Sequence, residues 1–108
     1  MPAQRNPTYD SAGRVALITG GGSGIGRATA LAFGEAGARV IVSDVNVETG
    51  ESTVATIRDT GADACFVRCN VANAGEVEAL VAATVDSCGR IDCAFNNAGI
   101  VETSGIVD

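Results

Sequence analysis

Three kinds of side chain are missing altogether, tryptophan among them. The sequence has no histidine and no lysine: its seven basic residues are all arginines, against thirteen acids, for a formal net charge of −6. A nucleic-acid partner needs basic side chains against its phosphates, so this balance argues against one. Long apolar runs are missing too. None approaches the ~20 residues of a membrane-spanning helix. The polar first twelve residues, with Pro2 and Pro7, lack the apolar stretch of a signal peptide. They read as a loose arm, residues 1–12, ahead of one domain over 13–108. Cysteine occurs only at Cys65, Cys69, Cys88 and Cys93, never as C-x-x-C. Without histidine a zinc site would need all four thiolates or an acid, so no metal is expected. The cysteines read as small buried residues in a reducing cytoplasm. Hydrophobic residues, by contrast, make up 46% of the chain, which is enough to build a core.

What stands out among the residues present is Thr19-Gly20-Gly21-Gly22-Ser23-Gly24-Ile25-Gly26. An apolar run, Val15 to Ile18, precedes it and reads as a buried parallel strand. A helix from Ile25 to about Ala36 follows. Five glycines in seven positions let the backbone turn sharply and remove side chains that would hold phosphates away from it. A helix N-terminus has unpaired N–H groups and a partial positive charge, so a pyrophosphate fits there. The spacing is G-x-x-x-G-x-G on Gly20, Gly24 and Gly26. The competing reading is a flexible strand–helix connection.

Further on, Ala38 to Ser43 reads as a second strand with Asp44 at its C-terminal end. An acid about 20 residues past a glycine loop is where a dinucleotide fold holds the adenosine ribose. Its carboxylate accepts from both ribose hydroxyls and repels a 2′-phosphate. No Lys or Arg stands at 43, 45 or 46, so NAD is favoured over NADP, and Asp44→Ala with Val45→Arg should reverse the preference. A turn or helix-capping aspartate is the other reading of Asp44.

The remaining elements follow in order. The first helix shows a stripe of Ala28, Leu31, Ala32 and Ala36, with Gly34 weakening it and Gly37 ending it. Asn46 caps a helix to about Thr60 with a thin apolar face, Val47, Val54 and Ile57. Asp63 to Cys69 is a third strand. Asn73 to Glu76 has the form of a capping box. The helix after it lines up Val77, Leu80, Val81, Thr84, Val85 and Cys88 on one face. Ile91 to Phe95 is a fourth strand, leading into Asn96-Asn97-Ala98-Gly99. The pattern β-α-β-α-β-α-β with short connections is an α/β, doubly wound parallel sheet, and right-handed crossovers give strand order 3-2-1-4. The order reverses between strands 1 and 4, so a ligand crevice opens where the glycine loop and the Asn-Asn-Ala-Gly stretch converge. One helix crosses the second sheet face and cannot cover four strands alone, and strand 4 is an edge.

Thr-Gly-x-x-x-Gly-x-Gly on 19–26, an acid at 44 and Asn-Asn-Ala-Gly on 96–99 together resemble the short-chain dehydrogenase/reductase family, over Arg14 to about Ile100. The resemblance implies a Rossmann fold and an NAD(H)-dependent oxidoreductase acting on an alcohol or carbonyl compound. By position, Gly20, Ser23, Gly24, Ile25 and Gly26 would line the phosphates and adenosine, and Asp44 the ribose. Asn70 and Val71 would sit beside the adenine. Many members carry Asp where Asn70 stands, and the Asn70 amide oxygen accepts the same bond. Asn97, Ala98 and Gly99 would approach the ribose near strand 4. A sheet-end amide network is the alternative for Asn96 and Asn97.

Members of that family catalyse with a Ser and a Tyr-x-x-x-Lys beyond the Asn-Asn-Ala-Gly stretch. Here there is no lysine, and the one tyrosine is Tyr9. No catalytic residue is therefore assigned, and the chain reads as the cofactor-binding half of a longer enzyme, homo-oligomeric when whole. Two other functions compete. One is a non-catalytic NAD-binding module. The other is a methyltransferase-type domain, against which the glycine spacing and Asn-Asn-Ala-Gly both argue.

Overall fold

The computed structural model describes residues 13–97. The expected N-terminal arm, Ala98 and Gly99 lie outside the described residues. Four strands and three helices alternate: β1 (Val15–Thr19), α1 (Gly24–Glu35), β2 (Arg39–Asp44), α2 (Val47–Asp59), β3 (Ala64–Arg68), α3 (Ala74–Cys88) and β4 (Cys93–Asn96). Every pairing is parallel, in the order β3-β2-β1-β4. This is the doubly wound arrangement expected from the sequence.

Period-2 alternation along the central strands sorts the core into two layers. Ala16 and Ile18 of β1, with Val40 and Val42 of β2, face α1 and α2 and meet Ala30, Val54 and Ile57. Val15, Leu17 and Ile41 face the other way and meet Val77 and Leu80 of α3. All five residues of β1 are buried. Among the described residues only α3 covers this second face. It leaves a small apolar cleft between Val77, Leu80 and Val81 on one side and Leu17, Ala94 and Phe95 on the other.

The faces of the helices differ from those read off the sequence. On α1 the buried residues are Gly26, Ala30 and Gly34, while Ala28 and Ala32 are exposed. The smallest residues, four apart, face inward because the helix lies close to its neighbours: a Cβ on Gly34 would come within 2.9 Å of Ile57 Cγ2. Gly34, expected to weaken the helix, is what admits α2. On α2, Val47 is exposed and Gly50 and Thr53 are buried beside Val54 and Ile57. A Cβ on Gly50 would run into the Phe66 ring. On α3, Val77, Leu80 and Thr84 form the buried row, and Val85 is exposed.

The capping box is also rearranged. The Asn73 side chain accepts from the Glu76 N–H at 3.1 Å, as expected. Glu76 does not return the bond to Asn73. Its Oε1 accepts from the Asn70 N–H at 2.9 Å, because the Asn73 N–H already donates to the Asn70 carbonyl within a turn.

Asp92 fastens the start of β4 to β1. Its backbone N–H donates to the Val15 carbonyl at 2.9 Å, and its Oδ2 accepts from the Val15 N–H at 2.8 Å. The Arg90 guanidinium donates to Oδ1. Arg90 first, then the Val15 N–H, holds the carboxyl below the usual carboxylate range. A depressed folded-state pKa contributes stability that is present above the unfolded value, near pH 3.9, and is lost as pH falls through the folded value. The Asp92→Asn chain is therefore expected to lose less stability than the unmutated chain on acidification below about pH 4. Thermal melts across that range check this. Parallel acid limbs for the two chains would show that Asp92 does not anchor the strand through its charge.

Candidate cofactor-binding site

The glycine loop leaves β1 at Thr19 and enters α1 at Gly24, at the C-terminal edge of the sheet. Three of its glycines are required for three different reasons. Gly20 has φ of +65° and makes the first turn out of the strand. Gly26 is needed for close approach: a Cβ there would overlap the Gly20 carbonyl oxygen and lie 2.8 Å from Asn97 Nδ2. Gly22 is hemmed in by side chains, since a Cβ would overlap the Thr49 hydroxyl and come 2.9 Å from Asp44 Oδ2. The loop is pinned to β2 as well, through the Gly21 N–H to the Ser43 carbonyl at 3.0 Å.

The three helix N-termini are not alike. Asn46 caps α2 and Glu48 lies in its first turn. Asn73 caps α3 and Glu76 lies in its first turn. At α1 the N-cap is Ser23, in extended backbone, whose side chain makes no capping bond, and the first turn has no acid. Ser23, Gly24 and Ile25 are exposed, Ile25 at 69%. The first turn of α1 thus has neither a side-chain cap nor an acid of its own, and the nearest carboxylate described at the loop is Asp44, bonded to the Gly22 N–H.

Asp44 stands at the C-terminal end of β2, half-buried. Its carboxylate makes the local bonds of the turn-aspartate reading and faces the glycine loop. Oδ2 accepts from the Gly22 N–H at 2.9 Å and Oδ1 from the Asn46 N–H at 3.0 Å. A carboxylate has about four acceptor positions, so roughly two stay available. No cation flanks it at Ser43, Val45 or Asn46.

Asn70 is exposed past β3, and its amide oxygen accepts from the Ala72 N–H at 3.0 Å. One lone pair of that oxygen remains for another donor. Val71 is buried against Val77 and Leu80. The end of β4 carries the amide network. Thr19 Oγ1 donates to Asn96 Oδ1 at 2.8 Å, and Asn97 Nδ2 donates to the Gly20 carbonyl at 3.4 Å. Asn97 thereby reaches the same carbonyl that Gly26 approaches. Asn96 Nδ2 is buried with no partner.

Thr49 and Gly22 are the residues that sequence reasoning missed. Gly22 was visible only as one more glycine in a rich loop. Nothing in the one-dimensional pattern marks Thr49, which reaches the loop because α2 packs beside α1. The four cysteines are free thiols, but only Cys69 is buried as expected; Cys65, Cys88 and Cys93 are half-buried. Burial pushes the Cys65 and Cys69 thiols up, away from the reactive thiolate. Among the described residues no group of acids and cysteines could hold a metal ion.

Comparison with known proteins decides the family. The family model for short chain dehydrogenases matches residues 14–108. The chain belongs to the short-chain dehydrogenase/reductase family. It is 45% identical over 106 residues to tropinone reductase-like 2 of Erythroxylum coca, covering 98% of this chain and 38% of that relative. Among solved structures it is similar to a metagenomic short-chain oxidoreductase in complex with NADP, with TM-score 0.82 and 32% identity, covering 84% of this chain and 41% of that one. It is also similar to a short-chain dehydrogenase/reductase from Burkholderia phymatum in complex with NAD, with TM-score 0.80 and 40% identity, covering 84% and 32%. The chain spans well under half the length of these relatives. Within that span lie the family's oxidoreductase fold and its glycine loop, and no membrane-crossing helix among the described residues.

The different demands on the loop glycines are measurable as stability. Gly24 has φ of +58° and open space around its Cβ position. Gly24→Ala is expected to cost only the backbone strain, about 1–2 kcal/mol. Gly26→Ala is expected to cost more, about 3 kcal/mol or above, because the overlap is with backbone and no rotamer relieves it. Urea denaturation of the two variants checks the order, and equal losses would show that α1 is not docked against the Gly20 carbonyl.

Proposed function

We propose that this chain is the NAD-binding domain, residues 13–108, of an oxidoreductase that interconverts an alcohol and a carbonyl compound. The observation that carries the reading is the contrast among helix N-termini. Among the described helices only α1 lacks a side-chain cap and a first-turn acid, and it lies at the sheet edge where the strand order reverses. That arrangement suits the pyrophosphate of a dinucleotide. The residues fit the group: Gly26 is bare where a Cβ would crowd the turn, and Asp44 keeps spare acceptor positions.

In this reading the amides at Gly20, Ser23, Gly24, Ile25 and Gly26 take the pyrophosphate, with Ile25 supplying an apolar side chain. Asp44 accepts from the adenosine ribose hydroxyls. Asn70 and Val71 border the adenine, and Asn97, Ala98 and Gly99 approach the second ribose. Bound nicotinamide dinucleotide supplies hydride transfer. The chain's own residues bind and orient it. The tyrosine–lysine pair that the family resemblance implies has no counterpart here, so turnover is assigned to the longer protein, which works as a homo-oligomer on a small molecule. Four free thiols suit the cytoplasm.

NAD is preferred to NADP because a 2′-phosphate meets the Asp44 carboxylate with no cation at 43, 45 or 46. Related structures hold one cofactor or the other, so the choice belongs to these local residues. Fluorescence titration is expected to show NADH binding at least about tenfold more tightly than NADPH, a difference near 1.4 kcal/mol. The same chain is expected to give no turnover with any alcohol. Equal affinity for the two cofactors would refute the role given to Asp44, and turnover would refute the division of labour.

A further inference from the structure

Asp44 does more at the loop than face a ribose. Its two carboxylate oxygens are tied to two different pieces of chain. Oδ2 takes the N–H of Gly22, inside the glycine loop. Oδ1 takes the N–H of Asn46, at the approach to α2. Asn46 is in turn bound to the first turn of α2: its side chain accepts from the Thr49 N–H at 3.1 Å, and its carbonyl accepts from the Thr49 hydroxyl at 3.4 Å. Thr49 then closes the circuit from the other side. Its hydroxyl fills the volume that a side chain at 22 would need, and its Cβ lies 3.0 Å from that position.

Gly22 is buried, and its backbone is not in the positive-φ region. A positive φ is therefore not what calls for glycine there. What forbids an alanine is the contact with Thr49 and Asp44. A glycine kept for its neighbours implies that the distance between loop and α2 is set by those neighbours. We infer that Asp44 is a positioning residue for the glycine loop, holding Gly22 through its Oδ2 against the wall made by Thr49, in addition to any contact with ribose.

This inference deepens the cofactor reading and, for its binding consequences, rests on it. It changes what removal of the acid does. If Asp44 acted only by repelling a 2′-phosphate, Asp44→Ala would weaken NAD binding and strengthen NADP binding. With the carboxylate also anchoring the loop, Asp44→Ala frees residue 22 and weakens both. The substitution expected from sequence alone to reverse the preference is then the wrong one. Asp44→Asn removes the charge and retains an acceptor oxygen of the same reach.

The test uses this chain with Asp44→Ala and Asp44→Asn, and two independent readouts. The first needs no ligand: amide hydrogen exchange at Gly22 by NMR. A lost charge-assisted bond is expected to speed exchange at Gly22 about tenfold or more in Asp44→Ala, with the β1 amides unchanged. The second is titration with NADH and NADPH. Asp44→Ala is expected to bind both more weakly than the unmutated chain, whereas Asp44→Asn binds NADPH more tightly than Asp44→Ala does. Unchanged exchange at Gly22, or a gain in NADPH affinity in Asp44→Ala that matches Asp44→Asn, overturns the inference. Faster exchange in a chain whose unmutated form binds neither cofactor would leave the anchor standing and bring down the cofactor reading instead. If Asp44→Ala does not fold, the steric side decides. Gly22→Ala is expected to speed exchange at residue 22, and Thr49→Ala added to it to restore protection at least in part. No restoration overturns the inference.

Discussion

The site depends on one backbone contact, the approach of the first turn of α1 to the carbonyl of Gly20. Where Gly26 stands there is no room for even one carbon. The helix can therefore start directly over the end of β1, with its first amides at the C-terminal edge of the sheet. Several bonds defend this placement. Asn97, just past β4, donates to the same carbonyl, the Gly21 N–H reaches back to β2, and Asp44 takes the next amide along. The loop is rich in glycine and yet tethered at three successive residues, 20 to 22.

The same close approach organises the layer above the sheet. Gly26, Ala30 and Gly34 form the inner face of α1, and Gly34 and Gly50 admit Ile57 and Phe66. In a layer built this way α1 approaches its neighbours through bare backbone, while its Ala30, Leu31 and Phe33 side chains add apolar contact. The packing is directional: any added side chain meets a neighbour already in van der Waals contact. Arg27 adds a polar strut across the two helices, donating to the hydroxyls of Thr53 and Thr56. Thr49, Thr53 and Thr56 thus give the α1-facing side of α2 its polar character, and Thr49 is the one that reaches the loop.

Electrostatics then separates the helix N-termini. Two are neutralised within the protein by an asparagine cap and a nearby glutamate. The third is left open. A helix whose N-terminal amides have no internal partner gains from an external anion, and the surrounding backbone is already ordered to receive one. Asp44 beside it contributes the opposite charge at short range, which suits a ligand with phosphates at one point and hydroxyls at another.

Much of this was legible in one dimension. The order of elements, the parallel sheet and its 3-2-1-4 sequence follow from apolar runs of strand length alternating with helical segments, because a chain with short connections and right-handed crossovers has few other ways to fold. The glycine loop and Asp44 were legible because their signal is residue type at a fixed spacing. What only the tertiary structure decided is which face each helix turns inward, and what each polar atom finds there. A hydrophobic stripe placed Ala28 and Ala32 inside α1, where glycines lie instead. A capping pattern paired Glu76 with Asn73, where it holds Asn70. The bond from Gly22 to Asp44, with Thr49 packed beside it, joins three segments separated in sequence. Local pattern records what a residue contributes to its own helix or strand. It holds no record of the neighbour that arrives from another segment, and at distances of about 3 Å that neighbour decides whether a glycine is a convenience or a requirement.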